Sequence, residues 1–118
     1  MKVMIPVDET KKEVCVSFGR APFFCLYDEE KDTLTYVENP GADAQGGAGL
    51  KAAQCIVDHN ADVVITIRAG ENAGKVFEAA QIKVYKACDK DVLGQIEALK
   101  KNELNELDHY HAGFHGLQ

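Results

Sequence analysis

A chain of 118 residues with a formal net charge of −6 has room for one folded domain and lacks the basic surplus typical of nucleic-acid-binding proteins. Its 46% hydrophobic and 27% charged residues are typical of a water-soluble globular protein. The apolar runs are shorter than the roughly 20 residues that a membrane helix needs. Pro6 and Asp8 interrupt the apolar first segment too early for a secretory signal. We therefore expect a cytoplasmic protein without membrane contact.

The first half of the chain predicts three strands. Lys2–Val7 is short and apolar, and Phe23–Asp28 and Thr33–Glu38 are rich in aromatic and β-branched residues. The intervening segment EEKD fits a hairpin turn, so the second and third strands should be antiparallel. Residues 39–49, NPGADAQGGAG, are dense in glycine, proline and small residues and predict a loop.

In the second half, helical periodicity alternates with apolar runs. This pattern predicts a helix at 50–59, a strand at 62–67, a helix at 72–80, a strand at 83–86 and a helix at 91–101. Strands joined through helices are parallel and the crossovers are right-handed. The order β-β-β-α-β-α-β-α therefore predicts an α/β fold with a mixed five-stranded sheet and helices packed on it.

The four cysteines fit no zinc-binding CxxC pattern, and in a reducing compartment we expect free thiols or ligands. Cys25 and Cys55 fall on predicted inward faces, which favours core thiols. Cys88 follows a strand end and has no predicted role. Cys15 lies in a loop near Arg20, and because a neighbouring cation favours the thiolate, Cys15 is a candidate metal ligand.

Three loops could hold a ligand, namely Cys15–Arg20, Gln45–Leu50 and Ala69–Ala73. Ligands of open α/β sheets gather beyond the carboxyl ends of the parallel strands, where we expect these loops to meet. The second and third loops lead into helices, whose N-terminal N–H groups favour anions. Arg20 could add a permanently charged, forked donor.

Each of these features can also be explained without a bound ligand. The run Gly46–Gly49 could be a flexible lead-in to a helix, since it fits neither a P-loop nor a GxGxxG motif. Asn72 could simply cap a helix, and Arg20 could pair with a surface carboxylate. In the segment DHYHAGFHGLQ, His109, His111 and His115 could bind metal weakly or have no function.

The sequence offers little for catalysis. It contains no HExxH motif and no convincing Ser/His/Asp arrangement, and Asp8 and Glu9 lie in a charged loop. We therefore expect a protein that is not an enzyme, with a hydrolase that uses Asp8 as the weakest hypothesis.

Several segments occur together in one order: MIPVDE, SFGRAPFFCLYD, GGAGLKAAQ, ADVVITIRAGENA and FEAAQIKVYKA. In them the chain resembles, over residues 1–104, the dinitrogenase iron–molybdenum cofactor biosynthesis family of NifX-like proteins and NifB C-terminal domains. The resemblance implies a three-layer fold like that of ribonuclease H over residues 1–104. Periodicity is lost from Asn102 onward, so we expect residues 105–118 to be a mobile tail that contains histidines.

The resemblance further implies a carrier or scaffold in anaerobic nitrogenase cofactor biosynthesis that binds an iron–sulfur or iron–molybdenum-type cluster or its precursor, with a donor or acceptor protein as partner. A metal-free regulatory or protein-interaction module with the same fold is the alternative. The implied cofactor-binding residues are Ser17, Phe18, Gly19, Arg20, Gly46, Gly47, Ala48, Gly49, Gly70, Asn72 and Ala73.

Two positions depart from the family pattern. The family often has a histidine immediately before FGR and another before GAG, where this chain has Ser17 and Gly46. Thiolate and imidazole suit such clusters, so Cys15 and the three tail histidines are the candidate replacements.

Overall fold

The computed structural model describes residues 1–112 and gives them a five-stranded mixed sheet with helices on both faces. The elements are β1 (Lys2–Val7), β2 (Phe23–Asp28), β3 (Thr33–Glu38), α1 (Ala48–Asp58), β4 (Val63–Thr66), α2 (Glu71–Ala79), β5 (Lys83–Lys86) and α3 (Val92–Lys100). The predicted element order and fold class are confirmed.

The sheet order is β3-β2-β1-β4-β5. β1 pairs antiparallel with β2 and β2 pairs antiparallel with β3, whereas β1, β4 and β5 are parallel neighbours. Because β1 and β4 point the same way, the loops that follow them leave the sheet at the same edge. This topology brings residues 15–20 and 67–71 together.

Side chains that alternate along β1 separate two cores. Met4 faces a core shared with Ile56 of α1 and Phe77 of α2, whereas Ile5 faces a core shared with Ile96 of α3. All five side chains are at most 5% exposed. The sheet is therefore the middle of three layers, with α1 and α2 on one face and α3 on the other.

Two cysteines belong to these cores, as predicted. Cys25 is fully buried, and burial raises its thiol pKa to about 12. Cys55 is 6% exposed, and burial, followed by the charge of Asp58, raises its thiol pKa. Both thiols therefore stay protonated at neutral pH. Cys88 is exposed.

After α3 the chain returns along the outer edge of β5. Lys86 N donates a hydrogen bond to Asn105 O (2.8 Å), and Leu107 N donates one to Val84 O (2.9 Å). We call residues 105–111 the strap. The expected mobility of residues 105–118 stays a prediction, and His115 lies outside the described residues. None of the helices within residues 1–112 combines the length and the apolar character needed to cross a bilayer.

Candidate functional site

Three loops and the end of the strap enclose a cavity of about 340 Å³ at the edge of the sheet where β1 and β4 end. The eleven residues predicted to bind a cofactor all line it: Ser17, Phe18, Gly19, Arg20, Gly46, Gly47, Ala48, Gly49, Gly70, Asn72 and Ala73. Their role in binding stays a prediction. Phe18 is only 2% exposed and packs edge-on against Phe77 at 5.2 Å between ring centroids, so it anchors its loop in the core.

The predicted second loop is the end of the longer connection between β3 and α1, residues 39–47, which we call the second loop from here on. A buried amide ties it to the first loop. Asn39 is 6% exposed, and its Nδ2 donates hydrogen bonds to Gly19 O (3.0 Å) and Ala21 O (2.8 Å). Its Oδ1 accepts a hydrogen bond from Gly41 N (2.8 Å). Sequence reasoning did not identify Asn39, although an asparagine before Pro-Gly is a typical turn signal.

Arg20, which lies in the first loop, stabilises the second loop through hydrogen bonds. Its Nη1 donates to the main-chain oxygens of Ala44 and Ala42, the latter at 3.5 Å, and its backbone N donates to Ser17 Oγ at 3.1 Å. The alternative that Arg20 pairs with a surface carboxylate is wrong, because within residues 1–112 the ion pairs involve other residues. The guanidinium both orders the loop and contributes positive charge to the cavity wall.

Two helices begin at the cavity without side-chain caps. Gly47 is the N-cap of α1, with a φ of 67° that favours glycine, and Gly70 is the N-cap of α2. By contrast, the N-cap of α3, Asp91, accepts a hydrogen bond from Gly94 N (2.9 Å). Asn72 lies inside the first turn of α2, so the alternative that it caps the helix is wrong. First-turn N–H groups without caps favour an anion.

The cavity wall carries positive charge. Arg68, which follows β4 and forms a bridge with Ser17, lines the cavity together with Arg20. Among the described residues, no Asp or Glu lines it, although the whole chain has a net charge of −6. The sequence analysis did not identify Arg68, although its position directly after a predicted buried strand places it at the edge of the sheet where ligands bind.

Only one of the candidate metal ligands within the described residues lines the cavity. His111 lines the cavity, whereas Cys15 and His109 do not. No group of three His, Cys, Asp or Glu side chains that could hold a metal ion occurs within residues 1–112. Asp8 accepts hydrogen bonds from the backbone N and the hydroxyl of Thr10, an arrangement that orders its own loop.

Solved structures with the same fold cover nearly the whole chain. A NifB-like protein from Thermotoga is 33% identical, with a TM-score of 0.78 and coverage of 92% of this chain and 95% of that one. The apo form of the orange protein from Desulfovibrio gigas is 24% identical, with a TM-score of 0.82 and coverage of 90% and 92%. A dinitrogenase-like protein from Methanocaldococcus jannaschii is 22% identical, with a TM-score of 0.70 and coverage of 92% and 96%.

No curated protein sequence matches the chain significantly. The family model described as dinitrogenase iron–molybdenum cofactor matches residues 1–102. The match covers most of the chain, including β1 to α3 and the three loops around the cavity. The chain therefore belongs to the dinitrogenase iron–molybdenum cofactor family.

Proposed function

We propose that this protein is a non-catalytic carrier or scaffold for a metal–sulfur cluster of the iron–sulfur or iron–molybdenum type, or for its precursor. One observation carries the proposal: the cavity combines two arginines and two helix N-termini without side-chain caps with a wall that holds no carboxylate among the described residues. A compact anion is the ligand that such a wall favours.

The chemistry of the donor groups agrees with a cluster whose sulfur ligands are its own sulfides. Clusters built from sulfide and thiolate carry negative charge, and their sulfur atoms accept hydrogen bonds. No cysteine of residues 1–112 lines the cavity, so the cluster keeps its own sulfur ligands and is held by Arg20, Arg68 and backbone N–H groups. Release then breaks few metal–protein bonds, which suits transfer to an acceptor protein.

The size of the cavity is that of a small-ligand site. Its volume of about 340 Å³ lies at the lower end of the range of about 300–1,000 Å³ for small-ligand sites. The glycines at 46, 47 and 49 leave open space on the side of α1, since a Cβ at any of them would meet no atom within 4 Å. The backbone can therefore approach a bulky cluster closely.

A carrier needs no nucleophile–base pair at its site, and among the described residues Ser17 and His111 form their hydrogen bonds with other partners. The hydroxyl of Ser17 accepts a hydrogen bond from the backbone N of Arg20, which holds it in its turn. The partners that we propose are the cluster and the protein that donates or accepts it.

The test is anaerobic reconstitution with iron and sulfide, followed by desalting and a visible spectrum. We expect the wild type to retain an absorbing cluster. Arg68→Ala should lower retention at least about tenfold, because a charge-assisted hydrogen bond contributes about 1.5–3 kcal/mol. Arg20→Ala should lower it further, since it also frees the second loop. Lys51→Ala is the matched control, because it removes an equal charge from an exposed side chain outside the cavity wall.

A wild-type protein that stays colourless and free of metal after reconstitution would contradict the proposal. It would favour the metal-free interaction module. Equal retention by Arg68→Ala and Lys51→Ala would show that the cluster binds elsewhere.

A further inference from the structure

We propose that His111 is a direct ligand of the cargo, with its ring Nε2 bound to a metal atom of the cluster, and that the strap holds His111 in place at the cavity. The assignment rests on the proposed function of the cavity. It depends on three features of the strap: its seat on α2, its backbone bonds at the start of that helix, and the hydrogen bond of the His111 ring.

The strap is seated on α2 at two glycines one turn apart. A Cβ at Gly74 would lie 2.9 Å from Cδ1 of Tyr110, and a Cβ at Gly70 would lie 3.1 Å from Cε1 of His111. Each ring thus occupies space that a side chain would otherwise take. Burial of the Tyr110 ring also raises the pKa of its hydroxyl. Glycine at both positions is what lets the strap lie directly against the helix.

Two backbone hydrogen bonds fix His111 at the mouth of the cavity. His111 N donates to Ala69 O (3.1 Å), and Glu71 N donates to His111 O (2.9 Å). Glu71 is the first residue of α2, so the strap satisfies one N-terminal amide of the helix and leaves the following amides to the cavity. The strap therefore forms part of the site wall.

The His111 ring has the hydrogen bond that is typical of a metal ligand. Its Nδ1 lies 3.2 Å from Ala112 O, and a carbonyl oxygen can only accept, so Nδ1 carries the proton. A ring that carries only this proton has its lone pair on Nε2. Metal-binding histidines commonly donate their other ring N–H to a carbonyl or carboxylate in this way.

The position of His111 distinguishes it from the neighbouring imidazole. His109 lies two residues earlier in the same strap, and both histidines are exposed, but only His111 lines the cavity. A single imidazole would anchor one metal atom, while the arginines and helix amides bind the sulfur atoms. The pair His111 and His109 thus provides a test in which residue type, chain segment and charge are matched.

The experiment uses the full-length protein reconstituted with iron and sulfide and then reduced, and it records ¹⁴N couplings by pulsed EPR. We expect the wild type and His109→Ala to show an imidazole coupling. His111→Ala should lose that coupling and retain the cluster several-fold less well. Gly74→Ala should have the same effect with the histidine intact, and amide hydrogen exchange at Leu107 and His111 should be faster, because the new methyl group displaces Tyr110.

The outcomes separate the two proposals. If the wild type takes up a cluster but His111→Ala keeps the nitrogen coupling and the retention of His109→Ala, the ligand assignment is overturned and the carrier function stands. If the wild type takes up no cluster, both are overturned. If Gly74→Ala leaves the amide exchange of the strap unchanged, the role of the glycine seat is refuted whatever the cluster does.

Discussion

The side chain of Asn39 contributes to the site without lining it. It satisfies two carbonyls of the first loop and one amide of its own turn, and it is almost fully buried. A buried carbonyl or amide that loses its partner costs about 1–3 kcal/mol, because water cannot replace the lost bond. The positions of Gly19 and Arg20 at the cavity therefore depend on one amide 20 residues later in the chain.

We expect Asn39→Ala to lower the free energy of unfolding by about 2–4 kcal/mol, since it removes three hydrogen bonds at once. Urea denaturation measures the change. Asn105→Ala is the control, because that side chain is exposed, and its effect should stay within about 0.5 kcal/mol. Equal denaturation midpoints for the two variants would mean that the network around Asn39 adds nothing to stability.

Residue-level prediction from the sequence succeeded where the signal was local. The burial of Cys25 and Cys55 follows from their positions in periodic segments, and both are core thiols. Asn39 and Arg68 were missed because their importance arises from contacts between distant segments. Sequence periodicity carries no information about such contacts.

At the level of elements, the second loop is pressed against the start of α1. A Cβ at Gly41 would lie 2.5 Å from Ala48 O and 2.7 Å from Gly19 O, both of which are backbone atoms that cannot move independently. Gly46, in the same loop, would place a Cβ in open space. The loop thus has one glycine that packing requires and another at which a methyl group would contact no neighbouring atom.

The two glycines give opposite expectations for substitution by alanine. Gly41→Ala should destabilise the fold by about 1–3 kcal/mol through overpacking, whereas Gly46→Ala should change stability by less than about 0.5 kcal/mol. Thermal unfolding of both variants measures the difference. A Gly41→Ala protein as stable as Gly46→Ala would show that the loop can move away from α1 at little cost.

The element order could be predicted because strands and helices leave different periods in the sequence. The strap could not be predicted, since it has no apolar periodicity. It is held mainly by backbone hydrogen bonds and by its packing against Gly70 and Gly74. The start of α1 at Ala48, two residues earlier than predicted, depends on the left-handed conformation of Gly47. A backbone angle of this kind has no signature beyond the glycine itself.

Across the whole molecule, the charge of the chain and the charge of the cavity have opposite signs. The net charge of −6 would repel an anionic cluster at long range, whereas Arg20 and Arg68 would attract it within the cavity. Salt screens both effects, because the Debye length falls from about 10 Å at 0.1 M to about 3 Å at 1 M. The direction of the salt effect therefore shows which charge dominates binding.

We expect the two arginines to dominate, because they line the cavity while no acidic residue of the described chain does so. Anaerobic titration with isolated iron–molybdenum cofactor should show an affinity that falls roughly tenfold between about 0.1 M and about 1 M salt. A variant that carries both Arg20→Ala and Arg68→Ala should bind weakly at both salt concentrations, with little difference between them. An affinity that rises with salt in the wild type would mean that repulsion of the anionic cargo by the acidic surface outweighs its attraction to the two arginines, and it would contradict this expectation.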